Sequence, residues 1–496
     1  MGVCGQPRVN LPRRLLETLR WQGARQGTVG SLLLSKKPEL RPSGCGISRA
    51  KDSTEQMIIA QSKIGELAET VYRARTPKSS QLFEAAKAVL PGGDTRSVLY
   101  FPPYPTFVER GRGCRVSDVD GNEYIDFLNN YTSLIHGHAH PMIVEAVCNQ
   151  VKRGTAFASP TESQIHLAKR LQSRMPSLEQ VRFCNSGSEA TLMAIRAAKA
   201  FTGRNKVLML EGGYHGHHDA AIVSTDLASN GTLPEQTGVF RGIAADVVPI
   251  PANDLESATK VFERYQDDLA AVIVEPVMGA AGMIPLEPAF LNYVADASRS
   301  TRAVLILDEV ITMRLAYGGA QQIYGLRPDL TTMGKLIGGG LPIGAFGGRS
   351  EIMSLFDPAA ARLHHSGTFN GNPATLTAGI AALDLFTEKV ITHVNELGER
   401  LRSRLEEVIE KCGIDTQLTG IGSLIGIHFT RDPIRSCRDA LNAPRSLLPV
   451  LHLLLLNRGI ITAPRGLFCT STVMSESEIE QFAGAFADSI NDIRQT

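Results

Sequence analysis

Ala303-Val304-Leu305-Ile306-Leu307-Asp308-Glu309-Val310 is an apolar run that ends in two acids. Two further short, largely apolar runs, 206–210 and 270–274, share its length and character. Strands buried on both faces and covered by helices read this way, because neither side of the pleat meets water. A short strand at 182–184 and a helix at 189–201 add to an alternation of helix and strand from about 141 to 356. This predicts an α/β domain with a mostly parallel sheet. Ligands of such sheets sit outside the carboxyl ends of the strands, so motifs at those ends carry the most weight.

Outward from this region the pattern changes. Residues 54–75 and 79–89 predict helices, and Pro91-Gly92-Gly93 ends that pattern. Asp120-Gly121-Asn122 is a hairpin turn signal between short strand-like runs. Residues 374–386 and 394–411 predict long helices, and 423–429 a strand. Ser475 with Glu478 is a capping-box pattern that opens a terminal helix toward Ile493. The expected organisation is a leader at 1–53, an N-terminal segment of the small domain at 54–110, a large domain at 111–375 and a smaller α+β domain at 376–496.

The chain has 496 residues, with 51 Lys and Arg against 50 Asp and Glu. A net basic face for nucleic acid is therefore not demanded. No apolar stretch reaches the roughly 18–20 residues of a membrane span, and the run at 447–456 is interrupted by Pro449 and His452. The eight cysteines show no CxxC pair, which reads as free thiols in a reducing compartment. The first fifty residues hold nine Lys and Arg, from Arg8 to Arg49, against only Glu17 and Glu39. Two readings fit: an organelle transit peptide or a disordered extension. The expected location is cytoplasmic, or mitochondrial if the leader is a transit peptide.

Four motifs bear on chemistry. Gly334-Lys335 precedes Leu336-Ile337-Gly338-Gly339-Gly340, so one lysine stands among glycines and apolar residues. Desolvation there lowers its pKa and makes it a better nucleophile toward an aldehyde; a solvated lysine on a flexible loop is the plainer alternative. Asp308 at a strand end could hold a pyridine nitrogen protonated, as pyridoxal phosphate requires, or cap the strand, or bind Mg²⁺. Asn185-Ser186-Gly187-Ser188-Glu189 joins a strand to a helix, where free amides and hydroxyls form a phosphate cradle; a simple N-cap at Ser186 or Ser188 is the alternative. Gly213-Tyr214-His215-Gly216-His217-His218 offers a ring for stacking on a cofactor. With His136, His138 and His140 it also raises a zinc alternative, although no Cys or Glu partner has zinc spacing. No P-loop or strand-linked GxGxxG occurs.

These motifs, taken in order with Glu275-Pro276 and Gly367-Thr368-Phe369-Asn370-Gly371-Asn372-Pro373, resemble the class III aminotransferases. That fold-type I group, dependent on pyridoxal 5'-phosphate, includes glutamate-1-semialdehyde aminomutase. The resemblance spans roughly residues 80 to 490. It implies Lys335 as the Schiff-base lysine and proton shuttle, and Asp308 as the partner of the pyridinium. Ser186, Gly187 and Ser188 would hold the phosphate, joined by Thr368 from the neighbouring subunit, and Tyr214 would stack on the ring. It also implies a homodimer with its sites at the interface.

Two departures narrow the resemblance. Ile311-Thr312-Met313-Arg314-Leu315-Ala316 stands where many members have a Gly-Phe-Gly-Arg type sequence. Ala463-Pro464-Arg465-Gly466 stands where aminomutases tend to have Pro-Ser and then a glutamate, and no acid follows until Glu476. With Thr95-Arg96-Ser97-Val98-Leu99-Tyr100 and the 101–105 stretch, both features are similar to the β-phenylalanine aminotransferase branch. There the matching arginines, Arg96 and Arg465 here, bind substrate carboxylates. A guanidinium suits that task because it grips a carboxylate bidentately. The expected reaction moves an amino group from a β-amino acid or related amine to a 2-oxo acid. The alternatives are intramolecular transfer, as in the aminomutase, and a non-catalytic relic of the fold, against which Lys335 argues.

Overall fold

The computed structural model describes residues 63–226, 231–234, 238–360 and 362–494. The leader at 1–53 and the first part of the 54–75 helix lie outside the described residues. A seven-stranded sheet forms the centre of the fold. Its strands are β1 (Gln180–Cys184), β2 (Lys206–Leu210), β3 (Val247–Ile250), β4 (Leu269–Val274), β5 (Val304–Asp308), β6 (Leu330–Gly334) and β7 (Gly344–Gly348). They lie in the order β1-β7-β6-β5-β4-β2-β3. Only β7 runs antiparallel to its neighbours; the other pairings are parallel.

The apolar runs are strands because each residue has an apolar place to go. Val272 and Val274 point into a core with Phe290, Leu291 and Val294 of the helix Pro288–Thr301. Ala271 and Ile273 point the other way, against Ala190, Ala194 and Ala197 of the helix Gly187–Thr202. Leu305 and Leu307 alternate with Val304 and Ile306 in the same sense. Each fully buried Val, Leu or Ile contributes about 1.5–3 kcal/mol relative to exposure, so register is strongly held. Strand β7, Gly-Ala-Phe-Gly-Gly, is illegible in the sequence because it lacks bulk. A Cβ on Gly344 would lie 1.9 Å from the Ser186 carbonyl oxygen, so close packing accounts for the missing side chain.

The remaining elements follow expectation where they rest on local signals. Strands Arg115–Asp118 and Glu123–Asp126 pair antiparallel around Gly121, whose φ is 90°. The helices Pro373–Leu385 and Glu388–Cys412 and the strand Leu424–His428 form where expected. The helix Glu476–Arg494 begins after Ser475, whose amide donates to Glu478 Oε2 at 2.9 Å. That is the backward half of a capping box; the Ser475 hydroxyl donates to the same carboxylate at 2.7 Å. The run at 447–456 becomes the helix Leu447–Asn457, apolar all round because it is buried all round. No helix among the described residues is long and apolar enough to cross a membrane. Strand Ile460–Ile461 pairs parallel with Glu123–Asp126, which joins an N-terminal hairpin to a C-terminal segment in one sheet.

Candidate active site

Every strand of the central sheet that carries a motif delivers it at one edge. Asn185 to Ser188 follow β1, Tyr214 and His215 follow β2, and Glu275 follows β4. Asp308 ends β5 and Lys335 follows β6. The antiparallel β7 starts at that edge, preceded by Gly340 to Ile343. Together these segments enclose a cavity of about 350 Å³ lined by Gly187, Ser188, Tyr214, Asp308 and Lys335, with Glu275 at its wall.

Asp308 is buried and each of its carboxylate oxygens accepts a hydrogen bond, which leaves lone pairs for a further donor. His215 Nδ1 donates to its Oδ2 at 2.8 Å, and the Val310 amide donates to its Oδ1 at 3.1 Å. Burial pushes the His215 imidazole down, but the hydrogen bond and charge of Asp308, joined by Glu275, raise it overall. Glu275 is buried too, and desolvation raises its pKa. It accepts the Tyr214 amide at 2.8 Å and the Gly279 amide at 3.2 Å, which fixes the loop that carries Tyr214.

Lys335 has φ 49°, a left-handed conformation that costs a non-glycine residue energy and is concentrated at functional sites. Desolvation lowers its ammonium to about 8. The charges of Glu275 and Asp308 oppose that shift, while Arg465 adds to it.

The helix Gly187–Thr202 begins at the cavity. Ser186 is its N-cap, accepting the Glu189 amide at 3.2 Å, and does not line the cavity. Gly187 and Ser188 do line it, and amides in a first helical turn have no partner within the helix. Gly216 crosses directly over Ser188 with φ 101°; a Cβ there would lie 2.7 Å from the Ser188 Cα. Ser188 Oγ lies 3.1 Å from His217 Nδ1.

The arginines stand beside the cavity. Arg96 Nη1 donates to Asn130 Oδ1 at 2.8 Å, and Asn130 lines the cavity. The Arg96 and Arg465 guanidiniums face the same ring, that of Tyr131, at 5.6 and 5.7 Å from its centroid. Thr368 is placed elsewhere. It is exposed and lines a separate cleft with Phe157, Thr161 and Phe369. One chain by itself does not bring Thr368 to Lys335.

The histidines divide their work. His136 bonds the Ala382 carbonyl at 2.9 Å, and His138 bonds Asp126 at 2.7 Å. No group of three potential metal ligands occurs among the described residues. Sequence reasoning missed Asn130, Tyr131 and the roles of His215 and Glu275. The only forewarning at 129–130 is a pair of asparagines, the residue type that best tolerates left-handed backbone after glycine.

A family model for aminotransferase class-III matches residues 100–490, most of the chain. The chain belongs to the class III aminotransferases. It is 41% identical over 393 residues to a glutamate-1-semialdehyde 2,1-aminomutase of Methanothermobacter thermautotrophicus, covering 79% of this chain and 93% of that one. Among solved structures it resembles an omega-transaminase from Sphaerobacter thermophilus: 44% identity, TM-score 0.82, 84% of this chain and 98% of that one. It also resembles a β-phenylalanine aminotransferase from Variovorax paradoxus: 38% identity, TM-score 0.81, 88% and 97% covered. The fold is therefore the fold-type I aminotransferase fold, and this aminotransferase-family enzyme depends on pyridoxal 5'-phosphate.

The cavity suits that cofactor on its own terms. It presents an amine of lowered pKa at Lys335 and a buried carboxylate at Asp308. It also presents a helix start with close backbone approach at Gly187, Ser188 and Gly216.

Proposed function

We propose that this class III enzyme transaminates a β-amino acid or a related carboxylated amine, with a 2-oxo acid as acceptor. The observation that carries the reading is the convergence of Arg96 and Arg465 on Tyr131 beside the Lys335 cavity. A transaminase takes two carboxylated substrates in turn into one site, and two guanidiniums provide grips for them. The likeness to the Variovorax β-phenylalanine aminotransferase supports the same reading.

Pyridoxal phosphate supplies an electron sink for the bond to be broken at the amino-bearing carbon. In this reading Lys335 Nζ would hold the cofactor and carry the proton. Asp308, oriented by His215 and the Val310 amide, would hold a proton on the pyridine nitrogen. Gly187 and Ser188 would bind the phosphate, and Tyr214 would cover the ring. Thr368 would serve the phosphate of a second copy of this chain. Phe157 and Phe369, 51% and 58% exposed beside Thr368, support an interface there.

A second reading is intramolecular amino transfer, favoured by the 41% identity to glutamate-1-semialdehyde aminomutases. One experiment separates the two. Donors and acceptors are screened while the cofactor spectrum is followed. Under the first reading a lone carboxylated β-amine converts the cofactor to its amino form and turnover stops until a 2-oxo acid is added. Sustained turnover of glutamate-1-semialdehyde without an acceptor would select the second.

A further inference from the structure

Asn129, Asn130, Tyr131 and Thr132 follow one another at φ 50, 47, 54 and 75°. With ψ of 56° and 52° at Asn130 and Tyr131, the segment is a turn of left-handed helix. L-residues visit that conformation singly, not in runs. The surroundings hold it in place. Asp126 Oδ1 accepts the amides of Leu128 and Asn129 at 2.9 and 2.8 Å, and Asp126 Oδ2 accepts from His138 at 2.7 Å. Asn129 Nδ2 donates to the Cys469 carbonyl at 3.1 Å, and the Tyr131 hydroxyl donates to the Val98 carbonyl at 2.6 Å. Strained backbone secured from several sides is concentrated where geometry serves function.

The turn delivers its two outward residues to the two arginines. Asn130 Oδ1 takes a hydrogen bond from Arg96, and the Tyr131 ring lies under both guanidiniums. We infer that this left-handed turn is the positioning element of the carboxylate site. Asn130 aims Arg96, and Tyr131 holds Arg96 and Arg465 as a pair, so these two residues set the preference for carboxylated over uncharged amines. The inference rests on the reading of Arg96 and Arg465 as carboxylate-binding groups. A guanidinium that rests on a ring keeps its charge near the site in few rotamers. One released into water must be re-ordered each time a carboxylate binds, which weakens binding.

The test uses the holoenzyme and three variants, with Arg96→Ala and Arg465→Ala in parallel. Tyr131→Leu removes the ring, Tyr131→Phe keeps it, and Asn130→Gly removes the Arg96 partner while relaxing the backbone. Tyr131→Leu should raise KM for the carboxylated donor and the 2-oxo acid about tenfold, with kcat and the KM for an uncharged amine changed by less than roughly threefold. Tyr131→Phe should recover most of the loss. Asn130→Gly should raise KM only for the substrate that Arg96→Ala affects. Calorimetric binding of a non-reacting carboxylate, 3-phenylpropanoate, should weaken in step. The inference is overturned if Tyr131→Leu leaves carboxylate KM unchanged or raises charged and uncharged amines alike. It also fails if Asn130→Gly, which carries the test should Tyr131→Leu not fold, leaves the Arg96-dependent KM at its wild-type value. If the arginine variants themselves leave carboxylate KM unchanged, the reading of the arginines fails. If they raise it and the turn variants do not, only the positioning role fails.

Discussion

His215 Nδ1 lies 2.8 Å from Asp308 Oδ2, both side chains sealed from solvent at the floor of the cavity. The imidazole therefore orients the carboxylate that faces a pyridine nitrogen, and the carboxylate keeps the imidazole protonated more readily than burial alone would allow. Asp308→Asn should keep the fold but weaken the electron sink. Losing a charge-assisted contact of about 1.5–3 kcal/mol corresponds to a fall in turnover on the order of 10 to 100-fold. Turnover near wild type in that variant would remove Asp308 from the proposed role.

Lys335→Ala should still bind the cofactor noncovalently but lose turnover by several orders of magnitude, because the covalent anchor and the proton carrier go together. Borohydride reduction of the wild-type holoenzyme, followed by peptide mapping, should tag Lys335. A tag on a different lysine would end the assignment.

The amine of Lys335 should titrate near pH 8 in the apoenzyme, well below an ordinary lysine, because desolvation disfavours its ammonium form. The neutral amine is the nucleophile, so its labelling by trinitrobenzenesulfonate should rise with pH and level off above that point. About a tenth is already neutral at pH 7. A labelling midpoint above pH 10, read by mass spectrometry on the Lys335 peptide, would contradict the buried setting.

Arg465→Ala should raise the apparent KM for the 2-oxo acid, since a bidentate guanidinium–carboxylate contact is worth about 1.5–3 kcal/mol, or on the order of 10 to 100-fold. The half-reaction with an uncharged amine should suffer less. Arg96→Ala should instead impair carboxylated donors. Rapid kinetics of the separate half-reactions assign each arginine. If Arg465→Ala leaves both halves unchanged, the β-amino acid reading loses its main support.

His452 sits in the helix Leu447–Asn457 against Phe101, with ring centroids 4.6 Å apart, and burial lowers its imidazole from 6.5 to about 4. Between those values the unfolded chain binds a proton that the folded chain refuses. Its contribution is present in full above pH 6.5 and is lost as pH falls toward 4, up to about 3 kcal/mol. His136 and His218, lowered to about 4 by burial, act in the same sense. Denaturant titrations of His452→Leu across that range should show a shallower loss of stability than wild type; an identical slope would refute the assignment.

Periodicity made β2, β4 and β5 legible, because a strand buried on both faces must be apolar at consecutive positions. Local chemistry made the ends of elements legible: Gly121 in its turn, Ser475 and Glu478 at the start of the last helix. It also singled out Lys335, Asp308, Gly187, Ser188 and Tyr214, since strand ends of a parallel sheet share one edge by construction. Strand β7 stayed hidden because its glycines answer to the backbone of Ser186, Gln180 and Asp329, contacts absent from local sequence.

What the sequence determined by itself was the apolar strands β2, β4 and β5, the family motifs at the strand ends and the edge at which those motifs meet. These depend on short-range patterns of side-chain polarity and backbone freedom. The tertiary structure alone decided which groups converge from a distance. It set His215 against Asp308, 93 residues away, and turned the Ser186 hydroxyl to the Glu189 amide as the N-cap of its helix. It wound Asn129 to Thr132 left-handed under Arg96 and Arg465. L-residues adopt that conformation singly rather than in runs, so the local signals, two asparagines and Asp126 three residues before them, do not specify a whole turn; Cys469 and Val98, brought in by packing, complete its hold.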